Sequence, residues 1–148
     1  MDPTPRIVTA EQSESIRPFG IDMRVLLGAE ATGGSFSAVT ATLDPGQGPP
    51  PHRHLDRDEY FYVLDGSYHL EVNGVGSEIG PGTLVFVPRG TVHAFHNTGD
   101  TPGRLLEWTI PGENSGYFRA VDEMERGGGF DPARFAAINA AFATEFPD

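Results

Sequence analysis

No cysteine occurs among the 148 residues of this chain. Disulfides and thiolate ligands are thereby excluded, so any bound metal has to be held by imidazole and carboxylate groups. Basic residues are scarce: ten Lys and Arg stand against 21 Asp and Glu, giving a formal net charge of −11. That charge repels phosphate backbones and anionic headgroups, which argues against nucleic acid and membrane partners and favours a small-molecule substrate. No uninterrupted stretch of 18 apolar residues is present, and the opening MDPTPRIVTAEQ lacks a basic segment followed by an apolar one. The reading therefore expects neither a membrane span nor a secretion signal, and a cytoplasmic protein. Internal repeats and low-complexity tracts are absent, and a chain of this length is expected to form one domain over residues 1–148.

What is present points to β structure. Nineteen Gly and 13 Pro punctuate short runs rich in Val, Phe, Tyr, Leu and Thr, the pattern of many short strands joined by tight turns. Strands are expected at Ile21 to Leu27, Ser35 to Leu43, Glu59 to Leu64, Tyr68 to Val72, Thr83 to Val87, Val92 to His96 and Arg104 to Ile110. Asp65-Gly66 and Asn73-Gly74 carry residues that accept positive φ, as two-residue hairpin turns require. An antiparallel barrel or jelly roll follows. Beyond Gly127-Gly128-Gly129, read as a flexible connector, Asp131 and Pro132 open a helix over 131–146 in which Phe135, Ile138, Phe142 and Phe146 recur at helical spacing. Its role is packing rather than chemistry.

Chemistry-bearing residues fall into two compact clusters. In GQGPPPHRHLDRDEYFYVLDG, His52 and His54 are two apart, so on an extended strand both imidazoles project from one face and can reach one ion. Glu59 opens the next strand. Alternation puts Glu59, Phe61 and Val63 on one face and Tyr60, Tyr62 and Leu64 on the other, so a carboxylate enters an apolar lining, where a cation compensates its charge. In GTLVFVPRGTVHAFHN, Pro88-Arg89-Gly90 makes a turn, after which His93 shares its face with Phe95 while His96 points the other way. By that parity His93 is a candidate ligand and His96 is not. His69 and Glu71 read as solvent-facing or as part of a subunit contact. Leu55-Asp56-Arg57-Asp58 reads as a short charged loop near the mouth of the site.

These stretches resemble the two motifs of the cupin superfamily. The first runs Gly46, five residues, His52, one residue, His54, four residues, Glu59, six residues, Gly66; the second runs Gly82, five residues, Pro88, one residue, Gly90, two residues, His93, three residues, Asn97. Fifteen residues, Ser67 to Pro81, separate them, a spacing similar to that of small single-domain members. The resemblance covers roughly residues 35–110, with a looser similarity in the C-terminal helix to quercetin-dioxygenase-like cupins. It implies an all-β cupin barrel, a double-stranded β-helix or jelly roll, carrying a C-terminal α-helix, with His52, His54, Glu59 and His93 binding one divalent transition metal. Three imidazoles and one carboxylate suit Fe, Mn, Ni, Co, Cu or Zn, and an octahedral ion keeps two open positions.

The leading function that the resemblance implies is a metal-dependent dioxygenase acting on a flavonol or other enol-type molecule. O2 is then the second substrate, and Glu59 is both ligand and general base. The alternative keeps the metal without O2, as an isomerase, lyase or polyketide cyclase, and a third reading is a non-enzymatic small-ligand-binding cupin. Phe61, Val63, Phe86, Phe95 and either Leu106 or Trp108 are the expected pocket walls, with Tyr60 and Tyr62 on the outer face. Similar cupins dimerise, so a homodimer is expected.

Overall fold

In the computed structural model, which describes residues 4–147, short strands follow one another as far as residue 110, and helices occupy most of the remainder. In chain order the elements are β1 (Glu14–Ile16), β2 (Asp22–Leu27), β3 (Ser37–Leu43), β4 (Arg53–His54), β5 (Asp58–Asp65), β6 (Tyr68–Val72), β7 (Val75–Ile79), β8 (Leu84–Val87), β9 (His93–Asn97), β10 (Gly103–Ile110), α1 (Asn114–Arg126), α2 (Pro132–Ala141) and β11 (Thr144–Glu145). No helix among the described residues is long and apolar enough to cross a membrane.

The expected all-β closed barrel is not what the chain builds. Three separate sheets form, ordered β1-β2-β3-β10-β5-β8, β7-β6-β9 and β4-β11, and with two α-helices they make a mixed α/β domain. Closure fails because the ladders end: β8 terminates the largest sheet, β7 terminates the second, and β9 meets the segment before β4 only through the isolated bridge His52↔His93. Two glycine turns explain the division. Asn73 and Gly74, at φ 50° and 79°, close the β6–β7 hairpin as their residue types require. Asp65-Gly66 closes no hairpin: β5 pairs with β10 and β8 whereas β6 pairs with β7 and β9, so this turn carries the chain from one sheet to the other. Gly66 stands at φ 97°, and a Cβ there would lie 3.0 Å from the Cα of Gly103. Backbone freedom and close approach both demand glycine.

The two larger sheets pack face to face. Met23, Val25, Val39, Ala41, Leu43, Val63 and Leu105 from the six-stranded sheet cluster with Tyr68 of β6. Phe61, Val85 and Val87 meet Leu70 and Phe95 in a second cluster, with the Phe61 and Phe95 ring centroids 5.1 Å apart. Each such side chain contributes about 1.5–3 kcal/mol when fully removed from water. The outer face is also aromatic: Tyr60 stacks between Phe86 at 4.9 Å and Trp108 at 5.4 Å.

Helix α1 was not anticipated. Glu113 makes no side-chain cap, and Gly116 interrupts the first turn, so the usual start signals are missing. The periodicity is nonetheless there, because Tyr117, Val121 and Met124 are buried and pack on Phe135, Ile138 and Phe142. Helix α2 begins as expected, with the Asp131 carboxylate accepting from the N–H groups of Ala133 and Arg134 and Pro132 in the first turn. It stops at Ala141, well short of residue 146. Ala143, at φ 48°, reverses the chain, and β11 then pairs antiparallel with β4.

Candidate metal centre

Three sheets contribute to one buried cluster. His54 lies on β4 and His52 immediately before it, Glu59 enters from β5 of the large sheet, and His93 opens β9. All four are buried, and one ligand atom from each lies within 4.8 Å of the others. The His52–His93 bridge is a paired hydrogen bond, 3.0 Å from the His52 N–H and 2.9 Å from the His93 N–H, which ties the two histidine-bearing segments together. The period-two argument for Glu59 agrees with the burial alternation along β5, and His96 is on the opposite, exposed face.

The hydrogen bonds on the far side of each ring decide what the near side offers. Nδ1–H of His52 donates to the Pro50 carbonyl at 2.8 Å and that of His93 to the Thr91 carbonyl at 3.0 Å, while Nδ1 of His54 lies between the Thr144 hydroxyl at 2.9 Å and Arg57 Nη2 at 3.0 Å. Each imidazole is thereby oriented with Nε2 toward the others, the arrangement by which protein histidines present a lone pair to a cation. Glu59 supplies the anion: Oε1 is 2.7 Å from Nε2 of His93, and Oε2 is 3.8 Å from Nε2 of His54. The donor set is hard to intermediate, with neutral nitrogens and one carboxylate, and it fits a divalent transition metal.

Electrostatics follow from burial and crowding. Burial lowers the pKa of His52 to about 4, helped by His93, and lowers that of His54 to about 3 against the pull of Glu59. For Glu59 burial works toward protonation, but the hydrogen bond with His93 and the neighbouring imidazoles outweigh it and hold the carboxyl below its ordinary range. Burial depresses His93, yet its bond to Glu59 wins and raises it. The Glu59–His93 contact at 2.7 Å therefore holds a proton between a carboxylate and an imidazole, at the position where a cation would lie between the same two groups.

Four polar residues around the cluster were missed by sequence reasoning. Glu107 on β10 is buried on the inward face, and burial together with the Glu59 charge pushes its carboxyl well above the usual range. The Asn114 amide nitrogen donates to Glu59 Oε2 at 3.0 Å and to Glu107 Oε1 at 2.8 Å, while its Oδ1 accepts from Arg57 Nε. Arg57 is fully buried, so the segment Leu55 to Asp58 is not merely a charged loop at the mouth: its arginine turns inward. Thr144 completes the set through His54 and Arg57 Nη2. Only Glu107 left a readable signal, since the parity argument used for Glu59 applies equally to it.

The cluster opens into a cavity of about 140 Å³ whose walls include Phe61, Phe95, Leu105, Phe118 and Phe146, with Glu59, Glu107, His52 and His54 also lining it. Among the expected walls, Phe61 and Phe95 border this space, and Val63 is buried in the core without lining it. Phe86 and Trp108 are corrections: both stand on the outer face against Tyr60. Leu106 also falls outward, because Leu105 and Glu107 are the inward residues of β10. Apolar side chains occupy both faces of β8 and β10, so hydrophobicity there does not distinguish inside from outside.

Comparison with known proteins shows what the chain is similar to. The cupin domain family model matches residues 39–109. Protein SchB of Streptomyces halstedii is 29% identical over 102 residues, spanning 68% of this chain and 74% of that protein. Polyketide synthase CurC of Streptomyces cyaneus is 27% identical over 103 residues, 69% of this chain and 67% of the relative. Quercetin 2,3-dioxygenase of Bacillus subtilis matches 70% of this chain at 26% identity, but only 31% of its own length is covered. Among solved structures, a predicted oxalate decarboxylase from Thermotoga maritima has a TM-score of 0.65 at 27% identity, over 72% of this chain and 99% of that one. The polyketide cyclase RemF from Streptomyces resistomycificus has a TM-score of 0.61 at 24% identity, over 72% and 80% of the two chains. Residues 39–109 thus match the cupin domain family, and the chain is similar in sequence and in structure to several enzymes. No single one of them, quercetin dioxygenase included, is singled out.

Proposed function

We propose that this protein is a metal-dependent enzyme that moves protons on an enolisable carbonyl compound of polyketide type, without consuming O2. The observation that carries this reading is the placement of a second buried carboxyl, Glu107, beside the His52, His54, Glu59 and His93 cluster in a cavity otherwise walled by aromatic and aliphatic side chains. A divalent cation held by those four residues supplies Lewis acidity toward a substrate carbonyl when bound. Glu107 is held by Asn114 through one oxygen only, so the carboxyl keeps capacity to exchange a proton with a substrate carbon or oxygen. In an aldol-type closure, the ionised Glu59 takes the α-proton, the α-carbon forms a bond to a second carbonyl carbon of the same molecule, the protonated Glu107 gives its proton to the new hydroxyl oxygen, and passage of the proton from Glu59 to Glu107 restores both groups. Atoms balance with no external oxidant. Phe61, Phe95 and Phe146 exclude water from that step and offer ring faces to a flat substrate. Similarity to the polyketide synthase CurC, 67% of whose length the chain spans, supports the same substrate class.

The dioxygenase reading is second, supported by the match of 70% of this chain to quercetin 2,3-dioxygenase. Oxygen uptake separates the two. After reconstitution with each candidate ion, a 1,3-diketone and a flavonol are assayed aerobically and anaerobically by product mass and oxygen electrode. Anaerobic conversion of the diketone is expected. Conversion only with stoichiometric O2 uptake would establish the dioxygenase instead, and no metal uptake by the protein would remove both.

A further inference from the structure

The strand at the C-terminal end reaches into the metal centre from a part of the chain outside both sequence motifs. Register places Thr144 directly opposite His54 and Glu145 opposite Arg53. The Leu55 N–H donates to the Ala143 carbonyl at 2.8 Å, Arg53 Nε donates to Glu145 Oε1 at 2.7 Å, and the Phe146 ring stacks on His52 with centroids 5.7 Å apart. The Thr144 hydroxyl is saturated in a defined sense. It donates to the Phe142 carbonyl at 3.1 Å, accepts from Arg57 Nη2 at 2.9 Å and lies 2.9 Å from His54 Nδ1, which Arg57 Nη2 also approaches to 3.0 Å. Arg57 also grips the Phe142 carbonyl through Nη1. The backbone is turned into this position at Ala143, which occupies the left-handed region at φ 48°, a conformation that a non-glycine residue keeps only where its surroundings hold it.

We infer that Thr144 is a positioning residue for the metal site, and that docking of the α2–β11 segment and metal occupancy are thermodynamically coupled. The inference rests on the reading of His52, His54, Glu59 and His93 as ligands. Two groups meet His54 Nδ1, the Thr144 hydroxyl at 2.9 Å and Arg57 Nη2 at 3.0 Å; the guanidinium can only donate, so Thr144 is the one partner there able to accept the Nδ1 proton and leave the lone pair on Nε2 for a metal. Losing that acceptor frees the ring to rotate and to protonate on the wrong nitrogen; outer partners of this kind are worth 10- to 100-fold in metal affinity. Linkage makes the effect reciprocal. Whatever free energy the docked strand lends to metal binding, bound metal returns to strand docking.

The test is direct measurement on the full chain with Zn2+. Competition against a calibrated chelator gives the Kd of wild type, Thr144→Val, Thr144→Ser and His93→Ala, and amide hydrogen exchange is followed at Leu55, which bonds to Ala143. Thr144→Val is expected to weaken Zn2+ binding about 10- to 100-fold, while Thr144→Ser, which restores the acceptor, binds nearly as wild type does. In wild type, Zn2+ should slow exchange at Leu55. Should Thr144→Val be too unstable to purify, the exchange measurement on wild type decides alone. Equal Zn2+ affinity in Thr144→Val and wild type, or exchange at Leu55 indifferent to Zn2+, overturns the inference while His93→Ala still reports a working site. A wild type that binds no Zn2+ overturns the ligand reading, and the inference falls with it.

Discussion

Glu59 and Glu107 are joined through a single atom, the Asn114 amide nitrogen, at 3.0 and 2.8 Å. Two carboxyls on neighbouring strands face one cavity, and their surroundings drive their proton affinities apart: against burial, the His93 hydrogen bond and the neighbouring imidazoles hold Glu59 down, while burial and the Glu59 charge push Glu107 up. Pairs of this kind divide the roles of base and acid.

Replacing Glu107 with Gln should therefore separate chemistry from metal binding. The amide preserves size and still accepts from Asn114, so Zn2+ stoichiometry is expected to stay at the wild-type level. Turnover of a diketone substrate should fall by about 10²–10⁴-fold, the usual worth of a general acid–base group. Metal analysis and kcat on the same preparation check this, and unchanged kcat would remove Glu107 from the chemistry.

His93→Ala should abolish stoichiometric metal, whereas His96→Ala should not, because the two imidazoles lie on opposite faces of β9. His96 instead packs its ring 5.6 Å from that of His69 on the outer surface. Elemental analysis of both variants after identical reconstitution reads the difference.

Arg57 offers a stability prediction. Its guanidinium is fully buried and bonds Asn114, Phe142 and Thr144, so Arg57→Ala strands several polar atoms at once. Breaking a buried network by removing one partner typically costs about 3–5 kcal/mol. Urea titration followed by Trp108 fluorescence is expected to show a midpoint shift of that size at unchanged slope.

The pH dependence of the metal-free protein has a determined sign. His52 and His54, lowered to about 4 and about 3, stay neutral in the folded state while the unfolded chain takes up both protons below 6.5. Their contribution is full above 6.5 and is lost as pH falls toward 4 and 3. Glu107 acts oppositely, because a raised carboxyl keeps its proton in the folded state above 4.5 while the unfolded chain releases it. Between 4.5 and 6.5 the two histidines, which put more protons on the unfolded chain, outnumber Glu107, so stability falls on acidification. Glu107→Gln removes the opposing group and should steepen that fall. Urea midpoints in EDTA at pH 6.5 and 5 test it, and a shallower slope in the variant would contradict the assignment.

Much of the site was legible because it is local. His52 and His54 sit two apart, Glu59 alternates with Phe61, and His93 alternates with His96, so strand parity alone sorts inward from outward groups. Parity failed on β8 and β10, where Phe86, Leu106 and Trp108 make the outer face as apolar as the inner one. Helix α1 escaped because its start lacks a cap, although Tyr117, Val121 and Met124 carried the right period.

By itself, then, the chain's order of residues determined strands β2, β3, β5, β6, β8, β9 and β10, but not β1, β4, β7 or β11, together with the Asn73-Gly74 turn, the N-cap of α2 and the four candidate ligands, all of which depend on φ preferences and spacings of a few residues. Tertiary structure alone decided that the sheets remain separate, that Arg57 turns inward, and that Asn114 and Thr144 reach the site from 55 and 90 residues away from their partners Glu59 and His54. Nothing local encodes such meetings. They depend on which buried polar groups find partners once the apolar faces have packed, and that is settled only by the assembled fold.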